Sequence, residues 1–118
     1  MLKTVRMENV SLSKDQVKHI FCNMARSTNL EDLNISRNDI SHVEDDALAM
    51  AVNNLRKAQL DSTNITMGQI VNIFSKCCEK PRLNLLSLGL NQDLKLLIYR
   101  DNLSLVRQAD RNINKLIL

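Results

Sequence analysis

The chain has 118 residues, 44% of them hydrophobic and 25% charged, with a formal net charge of +3. This is one domain of ordinary globular composition. Its scattered cations leave no basic footprint for nucleic acid or an anionic membrane, and no run approaches the roughly 18 apolar residues of a membrane-spanning helix.

The aromatic side chains are Phe21, Phe74 and Tyr99, so the core has to be built from Leu, Ile, Val and Met. Met1 to Arg6 lacks the apolar stretch of a secretory leader. The cysteines are Cys22, Cys77 and Cys78, an odd number. Together these features are read as reduced thiols in a cytoplasmic protein.

In chain order, a first strand is expected around Leu2, Val5 and Met7, with Val10 and Leu12 after it. Ser13-x-x-Gln16 then has the spacing of a capping box, in which each side chain satisfies the other's backbone N–H. Val17, Ile20, Phe21 and Met24 follow at helical spacing. The sequence then repeats itself. Leu30, Leu33, Ile35, Asn38 and Ile40 precede the box Ser41-x-x-Glu44 and a helix through Ala47, Leu48, Ala51 and Val52. Leu55, Ala58, Leu60, Thr63 and Ile65 precede Thr66-x-x-Gln69 and a helix through Ile70, Ile73, Phe74 and Cys77, which Pro81 would stop. Leu83, Leu86, Leu88 and Asn91 begin a fourth unit, but Asp93 stands where an apolar residue is due. An insertion is expected over 92–100, then a cap at Asp101-Asn102 and a helix through Leu105, Val106 and Ala109. Ile113, Leu116 and Leu118 mark a last strand over 113–118.

The recurring pattern is L-x-x-L-x-L-x-x-N-x-L, starting near residues 2, 30, 55 and 83. Strand–helix units of this length and pattern resemble leucine-rich repeats of the ribonuclease-inhibitor-like class. They are also similar to the repeat arrays of nucleotide-binding, leucine-rich-repeat immune receptors. The resemblance covers residues 1–118 as one α/β domain. It implies a short right-handed horseshoe solenoid of about four repeats plus a final strand, with a parallel sheet on the concave face and helices on the convex face. Longer and shorter units alternate in that class. Here Val10, Asn38, Thr63 and Asn91 alternate at the ninth motif position, and units one and three match at Gln16/Gln69, Val17/Ile70, Ile20/Ile73 and Phe21/Phe74. The underlying unit is therefore expected to be a pair. The ninth-position Asn is expected to turn inward and bond the turn backbone. Thr63 can do part of this and Val10 none, so the first turn should be looser or differently closed.

Side chains alternate along a strand, so the x positions should form three lateral rows on the open face. These are Lys3, Glu31, Arg56, Asn84, Asn114; then Thr4, Asp32, Lys57, Leu85, Lys115; then Arg6, Asn34, Gln59, Ser87, Ile117. Glu8, Ser36, Asp61 and Gly89 lie beyond. In the first two rows the charges alternate in sign, and the plain expectation is that they neutralise one another across strands. Row three is mostly uncharged and unpaired. The expected partner-binding surface is therefore Arg6, Asn34 and Gln59, with Glu8, Asp32, Lys57, Asp61, Leu85 and Ser87 around them. Leu85, Leu90 and Ile117 would make the C-terminal part of this face apolar unless the 92–100 insertion folds over them.

Catalysis finds no support in these residue types. His42 has no Ser or Cys predictably within reach of it, and with only Gly68 and Gly89 there is no phosphate-cradling loop. His19 and Cys22 on one helix and Cys77-Cys78 on another suggest a zinc set. The helices belong to units one and three, however, and adjacent helices sit about 8–10 Å apart, too far for ligands of one ion. No cofactor or metal is expected. The resemblance implies a protein-interaction module with a protein partner, in intracellular regulation or innate immunity. It also suggests an enzyme inhibitor, which the mixed charge and net +3 disfavour for a basic nuclease. Neither end carries the polar capping residues of a closed array, so end-to-end self-association or continuation into a longer receptor array is expected.

Overall fold

A computed structural model describes residues 3–26, 29–79, 82–91 and 103–118. They form one five-stranded parallel sheet and four helices. The strands are β1 (Thr4–Arg6), β2 (Asp32–Asn34), β3 (Lys57–Gln59), β4 (Leu85–Ser87) and β5 (Lys115–Ile117). The helices between them are α1 (Lys14–Arg26), α2 (Asp45–Asn53), α3 (Met67–Glu79) and α4 (Leu103–Asn112). Spatial order equals chain order, β1-β2-β3-β4-β5, so each strand–helix unit lies beside the next. α2 lies against both α1 and α3, and α3 against α4. Among the described residues, no helix is long and apolar enough to cross a membrane.

The central residue of every strand points into the core. Leu33, Ala58 and Leu86 are buried, and Val5 and Leu116 at the outer strands are partly so. Against them lie Val17 and Phe21 of α1, Leu48 and Val52 of α2, and Ile70, Ile73 and Phe74 of α3, in one continuous cluster. Each large apolar side chain removed from water contributes about 1.5–3 kcal/mol, which explains how three-residue strands can persist. The described helices span 13, 9, 13 and 10 residues.

Two of the three expected capping boxes form. In the first unit, Gln16 N–H donates to Ser13 Oγ (3.2 Å) and Ser13 N–H to Gln16 Oε1 (2.8 Å). In the third, Gln69 N–H donates to Thr66 Oγ1 (3.2 Å) and Thr66 N–H to Gln69 Oε1 (2.9 Å). The Ser41–Glu44 box is corrected. Ser41 instead gives its N–H (2.9 Å) and hydroxyl (2.6 Å) to Asp39 Oδ1, and α2 starts at Asp45 with Glu44 as a cap that makes no side-chain bond. A carboxylate two residues upstream out-competes the box by closing an Asx turn. The expected Pro81 stop, the 92–100 insertion and the Asp101-Asn102 cap lie outside the described residues, as does Leu2.

Strand pairing runs on into the turns in the same way from unit to unit. The N–H of Asn9, Arg37 and Ser62 donate to the carbonyls of Ser36, Asp61 and Gly89, at 3.0, 2.9 and 3.0 Å. Each of these donors sits at the eighth motif position, and each has a left-handed backbone (φ 53°, 62° and 52°), as does Leu90 in the fourth unit (φ 59°). That conformation costs an L-residue roughly 1–2 kcal/mol, and Asn less than most. Leu90 is also 84% exposed, so its side chain contributes little burial to offset the strain. Leu90→Asn is expected to stabilise the fold by about 0.5–1 kcal/mol, read as a rise in the denaturant midpoint at constant m-value.

The inward Asn residues join units in pairs. Asn38 Nδ2 donates to Ile35 O (3.1 Å) and Ser36 O (3.3 Å) in its own turn and to Met7 O (2.6 Å) in the unit before. Its Oδ1 accepts the N–H of Leu12 (3.2 Å). The first turn, where Val10 has nothing to offer, is thus closed by the second unit. Asn91 does the same for the third, while Thr63 Oγ1 donates to Leu60 O at 2.8 Å. Units two and three are tied differently, through Gln69 Nε2 to Ile40 O (2.9 Å) and Val43 O (2.8 Å) and through Asn53 Nδ2 to Ile73 O (3.1 Å).

Candidate functional site

The face of the sheet away from the helices carries the outward strand residues. Its register is Thr4–Asp32–Lys57–Leu85–Lys115 in one row and Arg6–Asn34–Gln59–Ser87–Ile117 in the next. Neighbours in a row stand about 4.8 Å apart. Between the rows lies a hollow of ≈ 150 Å³, floored by Val5 and Leu33 and walled by Thr4, Arg6, Asp32, Asn34, Lys57, Gln59 and Leu85. It brings together six of the nine expected contact residues. Thr4 was not among those nine, although its place in the second row was legible.

Among the described residues the opposite charges that neighbour one another across strands form no ion pairs. Among the described residues the single ion pair is His42 Nε2 to Asp39 Oδ2, 3.8 Å apart and in the turn after β2. Asp32 and Lys57 are neighbours in register, yet they do not pair. Exposed pairs gain only about 0–1 kcal/mol while giving up side-chain freedom, so adjacency alone does not form them. Arg6 and Lys57 are exposed and keep their charges free.

Three expected contact residues stand apart from the hollow. Glu8 is exposed beyond β1. Asp61 and Ser87 serve the turns. The Ser87 hydroxyl (2.6 Å) and the Gly89 N–H (2.7 Å) both donate to Asp61 Oδ1, and Ser87 is only 5% exposed. A Cβ on Gly89 would come within 3.2 Å of that carboxylate oxygen, so glycine lets the N–H approach it. Asn34 is held in a similar way. Its Oδ1 accepts the Ser36 N–H at 3.1 Å, which leaves the Nδ2 amide as the group it presents to the face. Of the expected apolar C-terminal cluster, Leu85 borders the hollow, whereas Ile117 and Leu90 are exposed outside it.

Ser41, Asp39 and His42 do come together, but in an order that does not make a nucleophile. The carboxylate lies between hydroxyl and imidazole, so Ser41 donates to Asp39 and not to the His42 imidazole. Burial tends to raise the Asp39 pKa, but the hydroxyl and N–H of Ser41, the charge of His42 and a bond from Asn64 outweigh it, so the carboxyl is held below its ordinary value. Cys77 is buried with its thiol donating to Phe74 O (3.0 Å), while Cys22 is exposed one helix beyond α2. Among the described residues no group of His, Cys, Asp and Glu is placed to hold a metal ion.

No family model matches the chain, and no significant match to a curated protein or a solved structure was found.

Proposed function

We propose that the chain is a leucine-rich-repeat solenoid of the ribonuclease-inhibitor-like class, with its sheet on the concave side, and that it is a non-catalytic module that binds a protein partner on that side. The observation that carries this reading is the hollow on the open face. Around it, Arg6, Asp32, Lys57 and the Gln59 amide are left unpaired among the described residues and Asn34 is bonded only through its oxygen, while Asp61 and Ser87 beside them are consumed in closing a turn. Such a surface has already lost the intramolecular bonds that a partner would have to break. A regulatory or immune role would follow from the repeat pattern's likeness to receptor arrays. Inhibition of a basic nuclease is the weaker reading, because two of the three charged side chains around the hollow are cations.

The test is the triple variant Arg6→Glu, Asn34→Asp, Gln59→Glu, which is isosteric at 34 and 59, shortens the exposed side chain at 6, and keeps the acceptor for the Ser36 N–H while reversing what the face offers. Its circular dichroism and melting should be close to the unaltered chain's. In affinity capture from cell extract it should lose, by tenfold or more, a partner that a helix-side variant such as Met50→Glu retains; tenfold corresponds to about 1.4 kcal/mol. An identical set of captured proteins for all three chains would remove the face from consideration.

A further inference from the structure

We infer that the hollow takes a carboxylate side chain, so that the partner contributes an acidic residue, Glu or Asp, at the tip of the segment it inserts. This rests on the proposed interaction face and names the chemistry of its anchor.

The argument is an inventory of donors and acceptors. Arg6, Asn34 and Gln59 stand next to one another in register on β1, β2 and β3. Arg6 presents N–H donors only. Asn34 could present either end of its amide, but its oxygen is committed to the Ser36 N–H, so its NH2 faces outward. Gln59 is half-buried at the third position, and among the described residues its amide is not engaged. Arg6 and Asn34 on adjacent strands thus offer donors about 4.8 Å apart, and Gln59 on the third strand has an amide free to turn its NH2 to the same guest, so that two strands can share the oxygens of one carboxylate. The Val5 and Leu33 floor excludes water from below, which strengthens charge-assisted bonds.

The charges agree with the donors. The lining holds the cations Arg6 and Lys57 and the anion Asp32, a net of +1. Asp32 is in the other row, beside Lys57, so the donor row itself holds no acid. Of the acids just beyond this row, Asp61 has Oδ1 filled by Ser87 and Gly89, and Glu8 is exposed outside the lining of the hollow. A cationic guest would find the charges of Arg6 and Lys57 against it and that of Asp32 alone for it. A neutral amide guest would leave the Arg6 charge uncompensated.

The test titrates the whole chain with acetyl-Glu-Glu-Glu-amide, with acetyl-Gln-Gln-Gln-amide and with inorganic phosphate. It follows the side-chain resonances of Asn34, Gln59 and the Arg6 Nε–H by ¹H–¹⁵N NMR. Saturable shifts confined to these three groups are expected with the Glu peptide. They should be at least fivefold weaker with the Gln peptide or with phosphate, and weaker again as salt rises. Arg6→Gln should reduce the Glu response fivefold or more, and Lys14→Gln, which removes an exposed cation on α1, should leave it unchanged. The inference is overturned by a missing response, by equal response to both peptides, by tighter binding of phosphate, or by equal sensitivity to Lys14→Gln. If the inference fails in this way while the triple variant still loses its captured partner, the face stands and only the anchor chemistry is wrong.

Discussion

Asn91→Ala is expected to lower the unfolding free energy by about 3 kcal/mol, a fall of roughly 10 °C in melting temperature for a chain of this size. Asn91 is 6% exposed. Its Nδ2 donates to Leu60 O (3.0 Å), Leu88 O (2.8 Å) and Gly89 O (3.3 Å), and its Oδ1 accepts the N–H of Thr63 (2.9 Å) and Ile65 (3.4 Å). One side chain therefore satisfies the backbone of two consecutive turns. Alanine removes every one of these bonds and offers nothing to the stranded groups, each of which costs about 1–3 kcal/mol when buried. The total is less than their sum because water enters the space the amide leaves. Asn91→Asp separates the two halves of the role. It keeps acceptors for the N–H groups but sets a carboxylate against the carbonyls of Leu60 and Leu88, so it should be no less damaging at neutral pH. Urea unfolding at constant m-value measures both. A loss below 1 kcal/mol for Asn91→Ala would mean that the paired turns close without it.

The second large effect is a contrast between two equivalent residues. Gln69→Ala should cost about 2–3 kcal/mol and Gln16→Ala well under 1 kcal/mol. Both glutamines complete capping boxes of nearly identical geometry. Gln69, however, is fully buried, and its Nε2 also donates to Ile40 O and Val43 O in the turn of the unit before. Gln16 is exposed. The shared part of the two losses is the value of the box, and the difference is the value of the link between units two and three. Equal losses would show that this link is dispensable.

These two cases mark where sequence reading stops. The box at Thr66 and the inward Asn91 are both legible, because spacing and residue type determine them locally. The targets of their remaining donors are not, since those lie 26 to 31 residues away and exist only once the units are stacked. Ser41 illustrates the opposite failure. Its spacing to Glu44 is right for a box, and a closer local competitor, Asp39, takes its hydrogen bonds. The left-handed eighth position was hidden because Asn9, Arg37, Ser62 and Leu90 share no residue type that announces it.

By itself the sequence determined the strand positions, the register of the outward rows and the apolar stripe of each helix. Periods of 2 and 3.6, repeated along one chain, leave a single way to bury all the stripes together. It therefore also determined six of the side chains that meet around the hollow. The tertiary structure alone decided which of them are free. Neighbouring charges in a row stayed apart because water solvates them as well as each other does. Ser87 and Asp61 were withdrawn into a turn because the chain folds Gly89 against them. Asn34 had its oxygen consumed by Ser36, leaving its donor outward. Those choices depend on particular hydrogen bonds, some between segments remote in sequence as at Asp61 and some within one turn as at Asn34, which no periodicity encodes.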